Sequence, residues 1–100
     1  MYKIRFTYIQ EQGKNIIIIP MEQNFEYKNK HQQLDILKSL ELLISNSEFI
    51  GTVVLVWLSG DKMKYIAPLS WHPFFNSLTW NYVIKNLNRQ LAVESINFFS

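Results

Sequence analysis

Alternation with a period of two opens the chain. Tyr2, Ile4, Phe6 and Tyr8 point one way and Lys3, Arg5 and Thr7 the other, which predicts a β-strand with one apolar face. Residues 11–15 supply a turn whose glycine, Gly13, can take positive φ. A run of four isoleucines at 16–19 follows, and Pro20, which cannot donate to a central ladder, closes it. Together these predict an N-terminal hairpin. The isoleucine run leaves neither face of the second strand polar, so both of its faces need cover.

Residues 21–30 are polar, with Phe25 and Tyr27 alternating, and read as a loop or a short edge strand. Asn29 is placed to cap a helix running to about Ser45. Ile36, Leu37, Leu40, Leu43 and Ile44 form its apolar stripe, opposed by Asp35, Lys38 and Ser39. Residues 49–58 are apolar on both faces, Val53, Leu55 and Trp57 on one and Val54, Val56 and Leu58 on the other. A turn at 59–62 returns the chain as a strand over 63–69, ended by Pro68, so a second hairpin is expected. Pro73 breaks helical pattern at 70–73. A second helix then starts between Pro73 and Ser77, with Trp80, Val83, Ile84, Leu87 and Leu91 at helical spacing. Residues 93–99 suit a last strand with Ile96 and Phe98 on one side.

The element order is therefore ββαββαβ in a single α+β domain spanning residues 1–100. It implies a single-layer, mostly antiparallel sheet of about five strands with two helices on one face. From residue 15 onward the order matches a ferredoxin-like sandwich. That topology leaves no sheet edge for residues 2–9 to join.

Composition sharpens this picture in one respect. Of 100 residues, 48% are hydrophobic, an ordinary apolar content, while only 18% are charged against the usual share of about 25%. The balance is +2, and low charge near neutrality favours association. With two helices on one face of a sheet apolar on both, the charge deficit implies that another chain covers some of the other face or the 71–75 loop. No cysteine is present, which removes thiolate nucleophiles, thiolate metal centres and disulfides. The longest apolar run, 53–58, is far short of the ~20 residues of a membrane span. The alternating N-terminus lacks the continuous apolar stretch of a signal peptide. These features point to the cytoplasm, with no membrane association. Twelve Ile, eight Lys and nine Asn against two Ala and three Gly suggest an AT-rich gene, as in many bacteria and their mobile elements.

Candidate chemistry is sparse. His31 and Asp35, one helical turn apart, share a face and could form an oriented base. His72 lies between Trp71 and Pro73 with Ser70 close by, but sequence neighbours do not face each other. A small enzyme built on His72 or on His31 and Asp35 is the third reading in rank. No metal-ligand spacing, phosphate loop or dinucleotide fingerprint is present, so no metal or cofactor is expected.

Nucleic-acid binding ranks second. Lys3, Arg5, Lys62 and Lys64 could share a sheet face in a protein of pI near 8.9, forming a basic regulatory surface. The leading reading is a non-enzymatic protein-binding domain. It would act sterically, on itself as a homo-oligomer or on a protein partner, as an inhibitor or toxin-neutralising protein does. Seven aromatic residues crowd positions 57–82, including all three tryptophans. The segment carrying Trp71, His72, Phe74 and Phe75 is the candidate interface, since exposed loop aromatics make interaction hot spots. The edge of the N-terminal hairpin is a second candidate.

Overall fold

The fold was analysed in a computed structural model that describes residues 2–93. Gln12 and Gly13 both hold positive φ, 53° and 74°. Two left-handed residues in succession make the tight turn whose twist suits a hairpin. It joins β1 (Tyr2–Glu11) to β2 (Lys14–Pro20), with Thr7 opposite Ile18 and Glu11 opposite Lys14. Pro20 ends β2, and the chain leaves the sheet through a 3-10 turn at Gln23–Tyr27. The next element is α1 (Lys30–Ser45), capped as Asn29 implies. The Asn29 side chain accepts from the Gln32 backbone at 2.8 Å, and the Gln32 side chain accepts from the Asn29 backbone at 3.0 Å.

This crossover brings β3 (Thr52–Ser59) parallel to β2, from Ile16 opposite Thr52 to Pro20 opposite Val56. The approach is close at its start. A Cβ on Gly51 would lie 2.8 Å from the Asn15 carbonyl oxygen. Gly60, at φ 68°, turns β3 into the antiparallel β4 (Lys62–Ile66). A 3-10 turn at Leu69–Trp71, α2 (His72–Ser77) and α3 (Trp80–Lys85) lead to β5 (Arg89–Val93). β5 lies antiparallel to the first half of β1, with Tyr2 opposite Val93 and Phe6 opposite Arg89.

The sheet order is β4-β3-β2-β1-β5, with three antiparallel pairings and one parallel. The α+β class, the five strands and the antiparallel majority agree with the sequence reading. The ferredoxin-like order does not occur. That order separates β2 from β3, whereas here they are hydrogen-bonded neighbours. The N-terminal strand finds its place between β2 and β5, an interior position.

The helices are also not on one face. α1 covers a core of Ile4, Phe6, Ile17, Ile19, Phe25, Leu55 and Trp57, among others. Ile16, Ile18, Val54 and Val56 point away from it and pack with Trp71, Phe75 and Val83. The isoleucine run is thus buried on both sides by this chain itself, α1 above and the 69–85 segment below. Burial of the second face accounts for the apolar content without a second chain.

The expected long second helix is two short ones. Leu78 is extended, at φ −85° and ψ 146°, and interrupts it. Thr79 restarts the helix by accepting from the Tyr82 backbone at 3.1 Å. Leu87 lies beyond α3, and Leu91 stands in β5 opposite Ile4, in the α1-side core. Strand pairing with β1 therefore overrides helical spacing from residue 89. Residues 94–99 of the expected last strand lie outside the described residues.

Candidate partner-binding site

Trp71 and Phe75 hold their side chains inward, 6% and 1% exposed. Phe74 is half-buried against both, its ring centroid 6.0 Å from Trp71 and 5.1 Å from Phe75. His72 is also half-buried. Its Nε2 lies 3.0 Å from the Ala67 carbonyl, and its ring meets Tyr65 edge-on at 5.2 Å. A carbonyl partner makes that nitrogen the donor in the neutral ring, so His72 ties α2 back to the end of β4. The four residues therefore come together, but as the floor of the second core and its margin. They do not form the exposed loop surface expected from the sequence. In a segment without strand period, the aromatic crowding came from one turn and one short helix laid against Val54 and Val56.

The four cations of the alternative reading do not share a face. Lys3 and Arg5 alternate with Ile4 and Phe6, so they project on the side opposite α1. Lys64 pairs with Trp57, and Lys62 with Ser59, on the α1 side. Two interior strands also separate the pairs. Sequence alternation relates residues within one strand only, and the relation between strands depends on pairing.

His31 and Asp35 do meet, at 3.3 Å, but they are 86% and 60% exposed. At that exposure both side chains stand largely in solvent. Among the described residues, no group of three His, Asp or Glu side chains is placed to hold a metal ion. No described helix is long and apolar enough to cross a membrane.

What the sheet does present is two end strands, β4 and β5. β4 ends the strand order, so one row of its backbone N–H and C=O groups has no strand partner among the described residues. The N-terminal hairpin offers less. β1 lies between β2 and β5, and among the described residues its second half, from Thr7 to Glu11, has no strand partner on the β5 side. Met63 and Tyr65 are half-buried on one side of β4, and the Tyr65 hydroxyl donates to Asn76 Oδ1 at 2.6 Å. On the other side Lys64 Nζ donates to Glu26 Oε1 at 3.0 Å. Hydrogen bonding from Ser59 first, then from Lys64, holds the Glu26 carboxyl below its ordinary value, against partial burial. Phe25 fixes Glu26 there by packing on Trp57 at 4.8 Å.

Beside this edge, Pro20, Met21, Leu58 and Trp80 line an open apolar groove of about 450 Å³ where β2 and β3 end. Nothing in the sequence distinguished β4 from an interior strand, because edge position is a property of the strand order. Compared with protein families, curated proteins and solved structures, the chain matches none of them.

Proposed function

We propose that this protein is a non-enzymatic protein-binding domain of the cytoplasm that engages its partner by adding a strand to β4. The observation that carries the reading is the position of β4 (Lys62–Ile66) at the end of the sheet, with half-buried Met63 and Tyr65 beside a backbone row that is unpaired among the described residues. Strand addition draws affinity from main-chain hydrogen bonds and specificity from alternate side chains. A rigid five-stranded sheet supplies that template without ordering cost in the host.

A steric role follows: a bound strand occupies the edge and blocks whatever its donor would otherwise touch. Neutralisation of a toxin in a bacterium or mobile element is a role of that kind, and it rests on size and architecture alone. The nucleic-acid reading loses its proposed surface, since Lys3 and Arg5 stand opposite Lys62 and Lys64.

The test places a photo-cross-linking amino acid at position 63, and for comparison at exposed Lys38 on α1, in cells that make the protein. Protein adducts formed from position 63 and not from position 38 are expected. Equal adduct formation at the two sites, or none at either, overturns the reading.

A further inference from the structure

Where β2 and β3 end, the groove of about 450 Å³ is lined by Pro20, Met21, Leu58 and Trp80, and by Glu22 and Gln23 as the chain leaves β2. Ligand sites are built this way, from apolar and aromatic walls with a few polar groups, and its size lies within their range. Met21 is buried, and Pro20, Leu58 and Trp80 are half-buried, so the ground they form is apolar. Glu22 is exposed, and it is the one charged side chain among the described residues that line the groove. Glu26 is held by Lys64, whereas Glu22 forms no ion pair among the described residues.

The carboxylate decides what the groove can take. Any occupant that covers Pro20, Leu58 and Trp80 also draws water from Glu22, which is costly unless the occupant brings an opposite charge. A purely apolar side chain leaves that carboxylate uncompensated, and an acidic one is repelled. A basic side chain answers both surfaces, because its methylene stem lies on apolar ground while its head stays polar. Arginine answers them best: its guanidinium stacks flat on an indole ring and offers paired donors to a carboxylate. From this we infer that the groove receives an arginine side chain of a protein partner, with the stem over Met21 and Leu58 and the guanidinium between Trp80 and Glu22. Gln23 adds an amide oxygen as a further acceptor. Leu58 lies opposite Met63 of β4, so a chain bound at that edge passes beside the groove, although the inference does not require strand addition.

Two short peptides test it against the isotope-labelled full chain by NMR titration: Gly-Gly-Arg-Gly-Gly, and its counterpart with neutral citrulline at the centre. The arginine peptide should shift the Trp80 indole N–H and the amides of Glu22 and Leu58 saturably. The citrulline peptide should bind about tenfold or more weakly, as the loss of a charged hydrogen bond implies. Glu22→Gln, at an exposed position, should bring the two peptides to equal affinity, and added salt should weaken the arginine peptide alone. Equal affinity of the two peptides for the unaltered protein, which an apolar occupant would give, overturns the inference. No saturable shift at millimolar peptide overturns it too, as does an arginine preference that Glu22→Gln leaves intact. Cross-linking from position 63 reads strand addition separately, so either reading can fail alone.

Discussion

Asn88 stands in for a strand beside Tyr8. Its Oδ1 accepts from the Tyr8 backbone N–H at 2.8 Å, and its Nδ2 donates to the Tyr8 carbonyl at 3.0 Å. The pairing of β1 with β5 ends at Phe6 and Arg89, and the Asn88 backbone still donates to the Phe6 carbonyl at 3.2 Å. The side-chain amide then extends the ladder by one residue. No other side chain of similar length offers a donor and an acceptor in that arrangement.

Asn88→Ala removes both bonds. Because the site is exposed, water replaces part of the loss, and the expected cost is about 0.5–1.5 kcal/mol. A melting temperature lowered by roughly 4–8 °C per kcal/mol reads it out in a domain of this size. Asn88→Asp keeps the acceptor but turns a second oxygen toward the Tyr8 carbonyl, so it should recover no stability over alanine. Full recovery by aspartate would show that the paired bonds do not hold this junction.

Thr7 is buried among apolar neighbours, and its hydroxyl donates to the Val83 carbonyl at 2.8 Å. The bond anchors α3 to β1 across 76 residues of sequence. Thr7→Val keeps the shape and deletes the donor, leaving the Val83 carbonyl with the Asn86 backbone N–H alone, at 3.2 Å. Urea denaturation should show a loss of about 0.5–1.5 kcal/mol. An unchanged midpoint would mean that packing of Val83 alone positions the helix.

Glu26 sets an acid dependence whose sign follows from its environment. Its carboxyl titrates below its ordinary value of 4.5 in the folded protein because Ser59 and Lys64 favour the anion. The stability this adds is present above the unfolded value and fades as pH falls through the folded one. Glu26→Gln should flatten the acid limb of the stability profile below the ordinary value of 4.5. Trp57, packed on Phe25 beside the carboxylate, makes its fluorescence the natural readout. A wild-type acid limb in the variant would place the titration elsewhere.

Phe75→Ala separates a core role from a surface role for the aromatic segment. Phe75 is fully buried against Val54, Val56 and Val83, so truncation should cost about 3–5 kcal/mol. Calorimetry of the purified protein suffices to measure it. A cost near zero would return residues 71–75 to the surface that their sequence suggested.

Much of the local structure can be read from the residues that impose it. Alternation at 2–8, the turn at Gly13, the cap at Asn29 and the turn at Gly60 each act within a few residues, and each stands where the pattern puts it. The isoleucines at 16–19 announced cover on both faces. What covers the second face was not legible, because Trp71 and Phe75 reach Val54 and Val56 only through a fold-back that has no period of its own. The same limit split the four candidate cations. Lys64 and Arg5 occupy similar alternating patterns, and only the parallel alignment of β2 with β3 decides that they project on opposite sides. The β4 edge was hidden for the same reason, and Glu26 reaches it from a stretch expected to be a loop or strand.

The neighbouring positions of β1 and β5 carry a consequence for how the chain reaches this shape. Tyr2 pairs with Val93, so the two partners stand 91 residues apart in the chain. Until β5 is made, the side of residues 2–6 that pairs with it stays open. Pairings so distant in sequence are slow to close, because loop entropy is lost before contacts are gained. Docking of β5 is then the late step of folding, and until it occurs the nascent protein offers a temporary adhesive strand at the end of the sheet opposite β4.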